Sequence, residues 1–327
     1  VGCGGMGTRH LYGLNELMKT PFCRVELGAL CDISRENAER AAGVVEELTG
    51  KRPSVYTDLE EMARDQDLPA VDVVTDPSVH HTVVCQALDL GLHVLVEKPL
   101  AITVKACRLM IEAAERNGRL LSVAENYRRD PVNRLAKALL DAGHIGTPRL
   151  MQQITMGGGD QMLISVWRHQ KNASGVLLDV GTHFSDIMEY FLGEAETAYA
   201  QTRLHEKTRK NPVAGTDGAD SGPAGVYGRW QKDMPAEFEA TADDAAYATI
   251  LFKSGAVAQY IEDHAAHGEN LWKRSIHGSG GSLDLPGDRS GQRLVLHRDG
   301  EDPIDDQALF ELVPNFELDE ATAALFG

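Results

Sequence analysis

The sequence lacks the features that mark membrane proteins, disulfide-rich proteins and nucleic-acid-binding proteins. No apolar run approaches the roughly 18 residues that a membrane-spanning helix needs, so we expect no membrane span. The 5 cysteines form no CxxC pair and are odd in number, which indicates free thiols in a reducing compartment and therefore a cytoplasmic protein. Basic residues are few, 32 against 49 acidic ones, and the formal net charge of −17 disfavours a nucleic-acid partner or an anionic membrane surface.

The composition is that of a globular protein large enough for two domains. Single hydrophobic cores stop growing near about 250 residues, and this chain has 327 residues, of which 43% are hydrophobic. From residue 7 to residue 126, helical and strand-like segments alternate, and apolar runs such as VDVVT and HVLV are typical of parallel strands covered on both faces. Later segments, including a hairpin over 245–262, predict a mostly antiparallel sheet. We therefore predict an α/β chain with a parallel-sheet domain over 1–126 and an α+β domain over 127–327.

Two stretches depart from this alternation. Val1-Gly2 is interpreted as the last step of a buried strand whose earlier residues would lie upstream of Val1, so that the first strand is truncated. Residues 206–237 are rich in Gly, Pro, Asp and Lys and show no periodicity. We interpret them as a long loop that is exposed or folds over another part of the chain.

A glycine-rich turn joins the first strand to the first helix. GCGGMG at residues 2–7 fits G-x-G-x-x-G, in which glycines permit a tight turn and a close approach of the backbone to a pyrophosphate at a helix N-terminus. Such a motif predicts a Rossmann domain that binds a dinucleotide, whereas a glycine-rich turn without a ligand is the alternative. The residues predicted to contact the phosphates are Gly2, Gly4, Gly5, Met6 and Gly7.

The end of the second strand carries a candidate ribose contact. Asp32 falls where a carboxylate binds the adenosine ribose of NAD, slightly further from the glycine turn than usual. Arg35 could instead bind the 2′-phosphate of NADP. We therefore expect NAD as the cofactor and leave NADP open, and a simple acidic residue at a strand end is the alternative for Asp32.

A second candidate segment, Glu97-Lys98-Pro99, follows the apolar strand HVLV. Ligands of open parallel sheets bind at the carboxyl edge, where this tripeptide falls. Glu97 and Lys98 are therefore expected beside the cofactor, and Lys98 is the candidate proton acceptor. A solvated loop lysine is the alternative.

A third candidate pair lies in a predicted helix over 175–191. Asp179 and His183 are four residues apart and thus share one helical face, and Gly181 between them keeps the surface low for a ligand or another chain segment. The carboxylate is suited to bind substrate hydroxyls and the imidazole to relay a proton. An ion pair on the helix surface is the alternative.

These motifs together resemble the Gfo/Idh/MocA family, which includes glucose–fructose oxidoreductase and inositol dehydrogenase. The segments that carry the resemblance are VGCGGMG at 1–7, VDVVTDPSVHH at 71–81, HVLVEKPLA at 93–101, ENYRRDP at 125–131, HIGTPR at 144–149 and GVLLDVGTHFSDIMEYFLG at 175–193. The resemblance implies nicotinamide-dependent oxidation of a hydroxyl on a sugar, cyclitol or related polyol, with Lys98, Asp179 and His183 as catalytic residues. It also places Thr75 and Pro77 along the cofactor, and Tyr127, Arg128, Trp167 and Arg168 near the substrate.

One departure from the family pattern and several alternatives stay open at this point. Asp76 stands where many members have proline, which adds a negative charge beside the nicotinamide. A glycosidase that oxidises its substrate transiently and a non-catalytic sensor are the alternative functions. His264 and His267 lie near Asp263 and Glu269 without clean ligand spacing, so we expect no metal site. A homodimer or homotetramer is expected from an open sheet face in the second domain.

Overall fold

A computed structural model describes residues 1–216, 225–288, 290–305 and 307–326. The chain divides into two compact units by its internal contacts. The first unit comprises Val1–Ala124, Val213–Ala236 and Asp319–Gly327, and the second comprises Glu125–Pro212 and Glu237–Leu318. None of the described helices is both long and apolar enough to cross a membrane.

The first 124 residues alternate helix and strand, as their apolar pattern predicts. In chain order the elements are α1 (Gly5–Met18), β1 (Ala29–Cys31), α2 (Arg35–Thr49), β2 (Ser54–Tyr56), α3 (Leu59–Asp65), β3 (Ala70–Val73), α4 (His80–Asp89), β4 (His93–Val96), α5 (Val104–Asn117) and β5 (Leu121–Val123). Ser34 caps α2 by accepting a hydrogen bond from the Asn37 N–H, and Gly50 ends that helix in the left-handed conformation. Strand β1 is short, and its residues 29–31 pair in parallel with β2.

Val1 and Gly2 connect the parallel strands of the first unit. The Gly2 N–H donates to the Cys31 carbonyl at 2.8 Å, and the Val1 carbonyl accepts from the Val74 N–H at 2.8 Å. Residues 1–2 therefore occupy the strand position between β1–β2 on one side and β3–β4–β5 on the other. The resulting order, β2-β1-(1–2)-β3-β4-β5, is that of a Rossmann fold, which confirms the predicted parallel-sheet domain.

The second unit is built on one large sheet with two helices packed against it. The remaining elements of the chain are α6 (Pro131–Asp141), β6 (Pro148–Gly158), α7 (Val176–Leu192), β7 (Ala195–Arg203), β8 (Thr208–Lys210), α8 (Gly228–Gln231), β9 (Glu237–Glu239), β10 (Ala245–Phe252), β11 (Val257–Ala266), β12 (Leu271–Gly278), β13 (Ser282–Leu285), β14 (Val295–His297), β15 (Ile304–Asp305), α9 (Gln307–Leu312) and α10 (Glu320–Phe326). The sheet has the order β15-β14-β13-β12-β6-β11-β10-β7, and its pairs are antiparallel except for β6 with β11. The predicted hairpin β10–β11 and the mostly antiparallel sheet are confirmed.

The core of the second unit lies between this sheet and the helices α6 and α7. Leu139 on α6 and Ile187 on α7 are fully buried, and they pack with sheet residues such as Met151 and Ile276. Strand β7 at the sheet edge is exposed along its whole length. Helices α6 and α7 therefore cover one face of the large sheet. This packing fixes the orientation of α7, which carries two of the predicted site residues.

The segment over 206–237 is divided between the two units. Strands β8 and β9 pair with each other in the second unit, whereas residues 213–216 and 225–236 group with residues 1–124. Residues 217–224 lie outside the described part of the chain. The Tyr227 ring contacts Gly5, where a Cβ would lie 2.5 Å from it, and the Arg40 guanidinium lies 5.5 Å from the Trp230 ring centroid. The predicted division at residue 127 assigned both 213–236 and 319–327 to the second domain. The contacts of Tyr227 and Trp230 instead join the first of these segments to the first unit, and contacts between α10 and α1 join the second.

Two glycines of α1 predict opposite effects of an added methyl group. Gly13 is exposed in the helix interior, and no described atom lies within 4 Å of a Cβ built there, so Gly13→Ala should raise the free energy of unfolding by about 0.5–1 kcal/mol. A Cβ on Gly7 would overlap the Gly2 carbonyl oxygen, so Gly7→Ala should lower it by about 1–3 kcal/mol. Urea unfolding of both variants measures the difference. Destabilisation by Gly13→Ala would contradict the described helix.

Candidate active site

The three motif glycines of the turn have three different surroundings. Gly2 has a φ of +91°, and a Cβ there would lie 2.6 Å from the Val74 carbonyl oxygen. Gly7 packs directly on the Gly2 carbonyl, whereas no described atom lies within 4 Å of a Cβ on Gly4. The first and third glycines thus shape the turn, and Gly4 leaves the backbone open to a ligand, as a pyrophosphate-binding turn requires.

Asp32 is bound to this turn at the carboxyl end of β1. Its Oδ2 accepts from the Cys3 N–H at 2.7 Å, and its Oδ1 accepts from the Ser34 N–H at 2.8 Å. Each carboxylate oxygen has two acceptor positions, so both oxygens keep capacity for a ribose hydroxyl. Arg35 is directed to Glu39 at 3.6 Å and its side chain is 64% exposed.

The turns after β3 and β4 lie at the same edge of the sheet. Thr75 Oγ1 is buried, and it has no hydrogen-bond partner among the described residues. The buried His80 joins the two turns, with Nε2 3.0 Å from the Thr75 carbonyl and Nδ1 3.1 Å from the Pro99 carbonyl. Pro77 is buried, and Asp76 accepts from both the N–H and the hydroxyl of Ser78. An unsatisfied buried hydroxyl beside an open phosphate turn and a strand-end carboxylate fits a dinucleotide.

Glu97 holds the backbone of Lys98 and takes part in a partly buried ion cluster with His10 and Asp72. Its Oε2 accepts from the Lys98 N–H at 2.9 Å, and its Oε1 lies 3.1 Å from Nε2 of His10. Nδ1 of His10 lies 2.7 Å from Asp72 Oδ2. Burial acts to lower the pKa of His10, but the hydrogen bonds and charges of the two carboxylates outweigh it and raise that pKa to about 9.

His10 was missed in the sequence, although one signal pointed to it. Asp72 stands inside VDVVT, a run predicted to be covered on both faces, and a charge in such a strand requires a partner. The sequence does not say which residue supplies that partner, because His10 is 62 positions away.

His183 is oriented by a carboxylate that the sequence did not single out. Its Nδ1 lies 2.7 Å and 2.9 Å from the two oxygens of Glu125, and its ring stacks on Tyr127 with centroids 4.1 Å apart. Burial acts to raise the pKa of Glu125, but the bonds from His183 and from backbone N–H groups lower it overall. Because Glu125 binds Nδ1, the Nε2 atom is the one placed to exchange a proton. The sequence signal for Glu125 is its place in ENYRRDP, as an acidic residue two positions after strand β5.

Asp179 is held by a buried arginine. Nε of Arg168 donates to Asp179 Oδ2 at 2.7 Å and Nη1 donates to Ser165 Oγ at 2.8 Å, while the guanidinium lies 4.1 Å from the Trp167 ring centroid. Asp179 and Arg168 are buried, and so is His183. The alternative of an ion pair between Asp179 and His183 on the helix surface is therefore wrong.

Gly181 makes room for another chain segment, one of the two roles foreseen for it. A Cβ there would lie 2.9 Å from both Glu262 Oε2 and the Tyr260 hydroxyl of β11. Tyr260 donates to Glu262, which also binds His264 Nε2 at 2.6 Å. Burial and the neighbouring carboxylate raise the pKa of Tyr260. A buried acid–phenol pair thus supports the helix turn between Asp179 and His183.

The other singled-out residues have separate partners. Arg128 donates from Nε to Asp186 at 2.7 Å and lies over the Tyr190 ring. His267 binds Glu206 and Asp263 binds Tyr247, so the polar residues near 264 are distributed over different contacts. Among the residues that the structure describes, no group of three or more His, Cys, Asp or Glu is arranged to hold a metal ion.

Comparison with known protein families assigns both parts of the chain. Residues 1–125 match a family model described as "Oxidoreductase family, NAD-binding Rossmann fold", and residues 133–284 match one described as "GFO/IDH/MocA C-terminal domain". The chain belongs to the Gfo/Idh/MocA family. The resemblance inferred from the sequence motifs is therefore confirmed.

Curated family members and solved structures give the level of similarity. The levoglucosan dehydrogenase of Pseudarthrobacter phenanthrenivorans is 32% identical over 228 residues, which are 67% of this chain and 55% of that protein. The 1,5-anhydro-D-fructose reductase of Ensifer adhaerens is 28% identical, with 78% and 68% covered. A solved levoglucosan dehydrogenase in complex with NADH and L-sorbose superimposes with a TM-score of 0.74 at 25% identity, covering 92% of this chain and 75% of that one. The chain spans about half the length of the first curated relatives it matches.

The burial of the Asp179–Arg168 pair predicts a large cost for breaking it. Arg168→Met would remove the buried cation that donates to Asp179 Oδ2 at 2.7 Å, so the free energy of unfolding should fall by about 3–5 kcal/mol. Arg128→Met is the control, because the Arg128 side chain is 41% exposed and its pair with Asp186 should contribute at most about 1 kcal/mol. Urea unfolding at neutral pH measures both, and equal losses would contradict the difference in burial.

Proposed function

We propose that this protein is a nicotinamide-dependent dehydrogenase or reductase that interconverts a hydroxyl and a keto group on a sugar, cyclitol or related polyol. The observation that carries the proposal is the largely buried Glu125–His183 pair, in which both side chains are 11% exposed and one imidazole nitrogen is left for proton exchange. The phosphate turn with its open Gly4 supports it from the first unit. The relatives named above support the substrate class, since two are a sugar dehydrogenase and a sugar reductase.

NAD is the proposed cofactor, with NADP as the alternative. Gly4, Gly5 and Met6 would bind its pyrophosphate, Asp32 its adenosine ribose, and Thr75 with Pro77 would line it further along the sheet edge. When bound, the nicotinamide supplies the acceptor or donor of a hydride. The orientation of Arg35 supports NAD over NADP. Its guanidinium is directed to Glu39, whereas NADP would need a cation for the 2′-phosphate beside Asp32.

The second unit would handle the proton and the hydroxyl groups of the substrate. His183 takes the hydroxyl proton at Nε2 during oxidation and returns it during reduction, while Glu125 at Nδ1 fixes the tautomer and stabilises the imidazolium. Asp179 accepts from a substrate hydroxyl, and the hydrogen bond from Arg168 holds that carboxylate in its orientation. Tyr127, which stacks on His183, and Trp167, which stacks on Arg168, would form apolar contacts with the substrate ring.

Lys98 is the second proposed proton carrier. The turn that bears it is fixed on both sides, by Glu97 at its own N–H and by His80 at the Pro99 carbonyl. An ammonium held there stabilises the negative charge that develops on the substrate oxygen, or transfers its proton to it. Its role stays a prediction from the sequence, and the substitution below tests it.

A cytoplasmic location and self-association are also proposed, and the thiols and the sheet of the second unit support them. All 5 cysteines are free, which supports a reducing, cytoplasmic location. The exposed strand β7 supports self-association into a dimer or tetramer through the sheet of the second unit.

Removal of the Lys98 amine tests the first proposed catalytic group. Lys98→Ala should lower kcat by about 10²–10⁴-fold, because general acid–base catalysis contributes that much, while the Kd for NADH changes less than about twofold. Lys105→Ala, on the exposed face of α5, is the matched control and should retain full activity. The assay follows reduced nicotinamide absorbance in a screen of sugars and cyclitols. Product release without net reduction would instead favour a glycosidase, and nucleotide binding without turnover would favour a sensor.

Neutralisation of Glu125 tests the orientation of His183. Glu125→Gln keeps the shape of the side chain but removes the charge that stabilises the imidazolium, so kcat should fall about 10–100-fold with the Kd for NADH unchanged. Glu115→Gln on the exposed face of α5 is the control for loss of an acidic residue. Steady-state kinetics on the substrate found in the screen measures the effect, and normal kcat in Glu125→Gln would remove His183 as the proton carrier.

A further inference from the structure

His10 sits on the helix that follows the phosphate turn, and two acidic side chains face its ring. Asp72 reaches it from β3 at Nδ1, and Glu97 reaches it from the end of β4 at Nε2. The exposed fraction of the side chain is 26% for His10, 11% for Glu97 and 39% for Asp72, so this cluster is partly shielded from water. Ionised carboxylates only accept hydrogen bonds, so both ring nitrogens must donate for both contacts to be favourable. The contacts therefore fit an imidazolium ring.

Glu97 transmits this arrangement to the proposed catalytic lysine. One carboxylate oxygen is bound to the His10 ring and the other accepts the N–H of Lys98 at 2.9 Å. A rotation of the Glu97 side chain toward water would break both bonds together. The backbone position of Lys98 consequently depends on the same carboxylate that His10 anchors.

We propose that His10 is a positioning residue for Lys98, which it holds in place through Glu97 when its ring is protonated. The inference rests on the proposed function, since Lys98 is a proton carrier only in that reaction. It assigns His10 no contact with substrate or cofactor. The charge on the ring offsets the buried Glu97 carboxylate and the partly exposed Asp72 carboxylate, and its loss would leave them facing a neutral imidazole that donates to only one of them.

The pH dependence of this device can be derived from the His10 pKa. The two carboxylates raise that pKa from 6.5 to about 9, so the protonated ring stabilises the folded state fully below pH 6.5 and this stabilisation is lost as the pH rises through about 9. Turnover should also fall as the pH rises through about 9. Asp72 and Glu97 are the charged groups that face the ring, and Lys98 is the charged residue next to Glu97 along the chain.

The experiment compares His10→Asn, Asp72→Asn and the control Arg9→Gln, which removes an exposed positive charge from the neighbouring position of α1. His10→Asn should lower kcat about 10–100-fold with little change in the Kd for NADH, as loss of a group that orients a catalytic residue does. Asp72→Asn should shift the alkaline limb of the kcat profile to lower pH, because it removes one of the carboxylates that raise the His10 pKa. Nitrogen NMR of labelled histidine follows the ring titration in the same variants.

In Asp72→Asn, parallel shifts of the His10 pKa and of the alkaline limb of the kcat profile would support the positioning role of His10, since the Lys98 residue itself is unchanged in that variant. Full turnover by His10→Asn, or a limb that stays fixed while the ring pKa moves, would overturn the inference and leave the proposed function intact. If the wild-type protein oxidises or reduces no sugar, cyclitol or polyol, the proposed function fails and the positioning role fails with it. NADH fluorescence titration identifies a variant that has lost the fold instead of the alignment of Lys98.

Discussion

The cost of burying a charge without a partner shapes the candidate residues of both units. An isolated ionised group loses its hydration on burial, so it persists only where hydrogen bonds and opposite charge replace the water. Each buried ionisable group proposed for the reaction has such a partner: Glu125 for His183 and Arg168 for Asp179. These partners also fix the direction of each side chain. Stability and orientation thus come from the same contacts.

Glycine serves the candidate site in several distinct ways. Gly2 and Gly7 are small because backbone atoms approach them, whereas Gly4 borders space that a ligand can enter. Gly5 admits the Tyr227 ring, and Gly181 admits Tyr260 and Glu262. The sequence pattern alone gives all of these residues the same appearance. Their separate roles depend on which segment approaches them. Gly7 is approached by the nearby Gly2, but Gly2, Gly5 and Gly181 are approached by segments far away along the chain.

Much of the fold was predictable because its signals are local. Helices α5 and α6 begin and end where their apolar spacing and capping residues predict, and the alternation of helix with apolar strand was enough to identify the parallel sheet. Strand β2 and helix α3 were missed, since a strand of 3 residues and a helix of 7 are too short to establish a period. One boundary at residue 127 places residues 213–236 in the second domain, although they group with the first unit. A single boundary along the chain cannot describe a segment that returns to an earlier unit.

The sequence by itself determined the family, the phosphate turn and the identity of Lys98, Asp179 and His183 as candidates, since these depend on residue types at short spacings. The tertiary structure alone decided which groups set their orientation and charge. Glu125 is 58 positions from His183, and His10 is 87 positions from Glu97, so no local pattern connects them. Electrostatic interaction depends on distance in space and on burial, and only folding of the chain specifies either.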